Sequence, residues 1–162
     1  MNISNTVGRL EEIFDLDQNA IKDFKKGIIT LDDWKAINQA NTEYIRNLLE
    51  QDVFPSKDVF SDKAYNAFFL VVQHSEDIDL MKQVADLILK ADVRQVNKAH
   101  YAYLTDRIRI FEGKPQLYGT QFKKEGGAVT FLDIEDIANI DSRRAEFGME
   151  PFEEYQKKAE SY

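Results

Sequence analysis

The amino-acid sequence predicts a mainly α fold: a single-domain, helical bundle-like structure over 1–162, with one short β-hairpin after the helix that carries Asp106 and Arg107. Three observations lead to it. Apolar residues recur at three- and four-residue spacing along most of the chain, the period of an amphipathic helix. Only Pro55, Pro115 and Pro151 punctuate it. Late in the chain a Gly126-Gly127 pair separates two short runs that read as strands, which is hairpin chemistry.

Leu10, Ile13, Phe14, Ile21 and Phe24 predict one or two short amphipathic helices, ended near Gly27. Thr30 is the natural N-cap of the next helix, with Asp32 and Asp33 in its first turn. Trp34, Ile37, Ala40, Asn41, Ile45, Leu48 and Leu49 carry that helix from about 31 to 51, and Pro55 falls in the loop beyond. Ser61 caps a helix from Asp62 to about His74, and its Ala67–Val72 run is apolar on every face. Such a helix must be buried on nearly all sides. Leu80, Val84, Leu87 and Ile88 mark another amphipathic helix, and Tyr101, Leu104, Ile108 and Phe111 the inward stripe of one from about 94 to 112. Gly113 and Pro115 stop it. Gln116–Phe122 and Ala128–Leu132 then read as the two strands, turning through 123–127. Two helices, about 134–147 and 151–160, follow, with Gly148 ending the first and Pro151 opening the second.

Composition narrows the function classes. The chain has 162 residues, 43% hydrophobic and 12% aromatic, enough to build a core without staples. It has no cysteine, which excludes disulfides, thiolate metal sites and a cysteine nucleophile. Its formal charge is −8, and its basic pairs (Lys25-Lys26, Lys123-Lys124, Arg143-Arg144, Lys157-Lys158) are scattered. A net negative field of this kind repels a nucleic-acid backbone, so nucleic acid is not an expected partner. Met1–Gly8 lacks the basic and apolar regions of a signal peptide. The apolar run Ala67–Val72 is too short to span a bilayer. A soluble, cytoplasmic protein without membrane contact is the expectation.

Three polar constellations are the candidates for chemistry. Gln73 and His74 end the most apolar helix, where an unpaired buried polar group costs about 1–3 kcal/mol. They must therefore be hydrogen-bonded or open onto a cavity, and Asp77 is near enough in sequence to orient the imidazole. The bland alternative is a satisfied structural histidine. Asp106 and Arg107 lie in the helix of Tyr101, Leu104 and Ile108. Arg107 shares a face with Tyr103 and Ile110, so it is expected half-buried and in need of a carboxylate or an anionic ligand. An internal ion pair would serve equally. On a strand, Gln116, Tyr118 and Thr120 would share one face, and Gly119 would let another backbone approach. An exposed hairpin face is the competing reading there. There is no P-loop, GxGxxG, HExxH or GxSxG. With only His74 and His100, a multi-histidine zinc site within one chain is excluded; a carboxylate-rich magnesium site stays open, but acidic pairs such as Asp32-Asp33 and Glu153-Glu154 read most simply as surface charge, and no metal is expected. No cofactor can be named.

Taken together, these pieces resemble a widespread bacterial family of small uncharacterised proteins, over about Trp34–Tyr155. The matching residues are Asn41, Pro55, Gln73-His74 with Asp77, Tyr103-Leu104-Thr105-Asp106-Arg107, Gly113, Gln116, Tyr118-Gly119-Thr120-Gln121, Asp141, Arg143-Arg144, Gly148, Pro151 and Tyr155. Family members often carry Gly-Trp-Pro where this chain has Val53-Phe54-Pro55. The resemblance implies positions and no reaction. It singles out His74, Asp106 and Arg107 as catalytic candidates, and Gln73, Gln116, Tyr118 and Gln121 as ligand-binding ones.

Two functions fit. In the first, a hydrolase or group transferase acts on a small anionic substrate. His74 is its acid or base, Arg107 its anion clamp, Asp106 the group holding Arg107 or His74, and Tyr118 with Gln121 the positioning groups. In the second, the same residues bind without reacting, in a sensor or an immunity- or antitoxin-like protein whose acidic surface meets a basic partner.

Overall fold

Residues 2–161 are described by the computed structural model, in which seven α-helices and a two-stranded hairpin follow one another along the described residues. The backbone groups into two compact units, each with its own core: one runs to Leu80 and includes Arg94–Val96, the other holds Met81–Val93 and the chain from Asn97 onward.

The first unit is built on three helices. Helix α1 (Ile3–Lys25) is continuous, not one or two short pieces. Nothing between its ends breaks the apolar spacing, and Asn2 caps it by accepting a hydrogen bond from the Ser4 amide. Its buried stripe is Thr6, Leu10, Ile13, Asp17 and Ala20. Helix α2 (Leu31–Glu50) opens on a capping box, with the Asp33 amide donating to the Thr30 hydroxyl and the Thr30 amide to the Asp33 carboxylate. The Thr30 hydroxyl, donating to the Asp33 carboxylate, and then the Thr30 amide hold the Asp33 carboxyl below its ordinary range. Helix α3 (Asp62–His74) is capped by Ser61 and packs against both α1 and α2. Ala67, Phe68, Phe69 and Val72 are each at most 1% exposed, as a run without a polar face requires.

Helix α4 (Ile78–Lys90) buries Leu80, Met81, Val84, Ala85 and Ile88. In the second unit, Lys98 donates from Nζ to the carbonyls of Ile88, Leu89 and Ala91, a cation closing the negative end of that helix. Helix α5 starts later than its periodicity predicts, at Ala99, and runs to Phe111. The Asn97 side chain accepts from the Ala99 amide, and residues 93–95 form a turn instead.

The hairpin is shorter than predicted and displaced along the chain. Strands β1 (Phe122–Glu125) and β2 (Ala128–Phe131) pair antiparallel around Gly126-Gly127, with Phe122 opposite Phe131. Thus, of the strand expected over 116–122, only Phe122 is in β1 and 116–121 is a loop, while Lys123, Lys124 and Glu125 are strand, not turn. The physical reason is local. Three amides of that loop donate to a side chain, Asp106, and Gly119 has φ +66°, so no extended ladder forms. A 3₁₀ turn (Ile137–Asn139) precedes a short α6 (Ile140–Glu146), and α7 (Phe152–Ser161) closes the described chain. Ile140, Phe152 and Tyr155 make a core on which Phe122, Phe131 and Ile134 pack. Among the described residues, no helix is long and apolar enough to cross a membrane.

Candidate functional site

A cleft of about 530 Å³ opens in the first unit. One wall is α2, whose i,i+4 rows Trp34-Asn38-Thr42-Arg46 and Lys35-Gln39-Glu43 both line it. The other wall is the end of α3 and the turn after it, His74–Asp77.

His74 donates from Nδ1 to Asp17 Oδ1 at 3.1 Å. Asp17 lies on α1 and is 1% exposed, while His74 is 24% exposed. A carboxylate accepts only from a protonated ring nitrogen, so the bond selects the Nδ1–H tautomer of the neutral ring, the form in which Nε2 carries the lone pair. Gln18 donates to the second carboxylate oxygen of Asp17 at 3.0 Å. A buried acid, an oriented imidazole and a cleft are the parts a general base needs.

The orienting carboxylate is therefore Asp17 and not Asp77. Asp77 has other work: its Oδ1 accepts from the Leu80 amide at 3.0 Å, which caps α4. Its Oδ2 accepts from Arg46 Nε at 3.0 Å and from Arg46 Nη2. Between them Glu76 has φ +55°, an uncommon conformation for a residue with a side chain. Gln73 is half-buried in the last turn of α3. Asp17 carried a sequence signal after all. It is an acid at a core position of a heptad-like run (Leu10, Ile13, Asp17, Ala20), where only a paired charge is tolerated. Trp34, Asn38 and Arg46 carried none beyond sharing one helix face.

The remaining candidates belong to the second unit, where Asp106, Gln116, Tyr118 and Gln121 make up or hold the loop 116–121. Asp106, fully buried, accepts from the amides of Leu117 (2.7 Å), Tyr118 (3.0 Å) and Thr120 (2.9 Å) and from the Thr120 hydroxyl (2.9 Å). The carbonyls of the same residues are held as well. Arg143 Nε donates to Leu117 O at 2.8 Å, Arg144 Nη1 to Tyr118 O at 2.6 Å, and the Tyr155 hydroxyl to Thr120 O at 3.1 Å. Gln116, fully buried, staples the loop ends: its Oε1 accepts from the Gln121 amide, and its Nε2 donates to the carbonyls of Gln121 and Leu132. Gln121 Nε2 donates to the Thr120 hydroxyl at 3.0 Å.

Asp106 is thus a loop clamp, and its carboxylate oxygens are filled by four groups of that loop. Gln116 and Tyr118 are buried within the clamp, not presented on a strand face. Burial first, and then the neighbouring Tyr101, Asp106 and Glu146, push the Tyr118 phenol up to about 12. Arg107 is half-buried on α5. Arg144 is fully buried, stacked 4.9 Å from the Tyr155 ring centroid and 5.8 Å from that of Phe152. Burial pushes its guanidinium below the ordinary value, against the opposing pull of Glu150.

Among the described residues, no group of three or more His, Asp or Glu side chains is placed to hold a metal ion. No curated protein and no solved structure matches the chain. A family model does, over residues 26–162, a stretch that contains His74, the cleft wall of α2 and every residue of the loop clamp, but not Asp17. With that share of its length matched, the chain belongs to DUF6624, a family of unknown function.

Proposed function

We propose that the protein is an enzyme using His74 as a general acid or base on a small molecule bound in the cleft of the first unit, a hydrolase or group transferase. One observation carries the reading: the imidazole at the cleft is fixed by the buried Asp17 carboxylate, 3.1 Å from Nδ1. A buried carboxylate orients the ring and stabilises the imidazolium formed when Nε2 takes a proton. Lys35 and Arg46 are the cations that line the cleft, Arg46 being held by Asp77, and Arg107 is not among the lining residues. The clamp around Asp106 supports the fold of the second unit.

The test is turnover of a panel of chromogenic esters, amides, phosphoesters and glycosides. His74→Gln is expected to lower kcat/KM by roughly 100-fold or more, and Asp17→Asn to lower it as well. Turnover that survives His74→Gln unchanged, or no turnover of any class, removes the reading.

A second reading, a ligand- or partner-binding module without chemistry, draws on one feature. Phe24, Ile28 and Leu31 are exposed where α1 meets α2, and Phe24 stacks on Trp34 of the cleft at 5.8 Å. A partner covering that corner would reach the cleft as well.

A further inference from the structure

The chemistry of the cleft lining allows a narrower statement, which rests on the assignment of His74 as its base. We infer that the ligand is a neutral, polyhydroxylated molecule of sugar type.

Charge comes first. The lining holds two cations, Lys35 and Arg46, against three carboxylates, Glu43, Glu76 and Asp77. Arg46 is already committed to Asp77 through two hydrogen bonds. A phosphate or polycarboxylate needs a surplus of positive charge to repay its desolvation, and here the balance is negative. Hydrophobicity comes second. Trp34 is the one large apolar side chain among the lining residues, so an aliphatic or lipid ligand would leave most of the wall unmatched.

What remains is a surface of mixed donors and acceptors beside one indole. Asn38 and Gln39 each offer an amide oxygen and an amide NH₂, Glu43 and Glu76 offer acceptors, and Lys35 offers donors. Hydroxyl groups donate and accept at once, so a ring bearing several of them can use all three kinds of group. Its C–H face suits an aromatic wall. Glu76, two residues after His74 on a left-handed backbone, adds an acceptor to the same wall of the cleft.

The chain has a single tryptophan, and it lines this cleft, so the tryptophan emission of the 162-residue chain reports on the site without a label. Glucose, galactose, N-acetylglucosamine and their disaccharides are titrated, with inorganic phosphate and glucose 6-phosphate as the anionic arms. At least one neutral sugar is expected to change Trp34 emission saturably. Asn38→Ala or Gln39→Ala should weaken that binding roughly tenfold, about 1.4 kcal/mol, and phosphate should have no effect. If no neutral sugar gives a saturable change, or only the phosphorylated ligands do, the ligand class is overturned. The two assignments fail separately. A sugar that binds but is never turned over leaves the class standing and removes the catalytic role of His74. Turnover of a phosphoester that is lost in His74→Gln does the reverse.

Discussion

Asp17 and Asp106 are both buried acids on helices, yet their surroundings set different tasks. The oxygens of Asp106 accept from three amides and a hydroxyl of one loop. Asp106→Ala should orphan those donors, at about 1–3 kcal/mol for each that finds no water, and chemical melts should show a loss of at least about 3 kcal/mol. Asp17 meets one imidazole and one amide. His74→Gln, which keeps a donor toward Asp17, should change stability by less than about 1 kcal/mol, measured in the same melts. A large loss there would make the dyad a scaffold. Gly119 is a third kind of residue. A Cβ on it would lie 2.5 Å from Phe152 Cε2, on a backbone with φ +66°. Gly119→Ala should therefore cost about 1–3 kcal/mol in backbone strain and a further 1–3 kcal/mol or so in crowding. Tyr118 supplies a pH signature. Its phenol titrates at about 12 in the fold, raised from 10.0, so the unfolded chain gives up this proton first. The stability this adds is complete below pH 10 and is lost as pH rises from 10 towards 12. Alkaline melts of Tyr118→Phe should lack that step.

At the scale of elements, α1 is the least obvious structural contributor. It lies before the family match, which begins at residue 26, yet it packs on α2 and α3 and buries Leu10 and Ile13 completely. Leu10→Ala should cost about 2–5 kcal/mol, read from denaturant midpoints, and a cost below 1 kcal/mol would show α1 to be an appendage. Phe68→Ala on α3 should cost about 3–5 kcal/mol by the same mechanism. The loop 116–121 shows how an element can be specified without a ladder. Its shape comes from side chains of α5, α6 and α7, each satisfying a backbone group that a strand would have satisfied by pairing. That is why period-two reasoning misplaced it: the alternation of Gln116, Tyr118 and Thr120 reflects burial, not extension.

For the whole molecule, the two compact units bear on cooperativity. The chain passes between them three times, and α4 begins in one and ends in the other. Each unit alone is near the size at which one core becomes marginal. A single cooperative transition is the expected outcome, with Phe68→Ala lowering hydrogen-exchange protection along α5 as well as α3. Protection of α5 left unchanged would mean that the units unfold independently, and that 1–162 is not one domain.

Much of this was legible without coordinates. The caps Thr30 and Ser61, the all-apolar 67–72 run and the Gly126-Gly127 turn act over a few residues, so local spacing specifies them. The mainly α class, with its hairpin after the Asp106 helix, followed from the same short-range physics. Polar motifs were legible as positions but not as partners. His74 could be marked as a polar end to an apolar helix, whereas its carboxylate lies 57 residues away on α1. Asp77, close in sequence, was captured by Arg46 and the start of α4. The roles of Asp106, Gln116, Arg143 and Arg144 are hydrogen bonds to backbone groups up to 26 residues distant. Which donor meets which acceptor is decided only when packing brings the elements together, because sequence spacing encodes the direction of a side chain and not what it will meet.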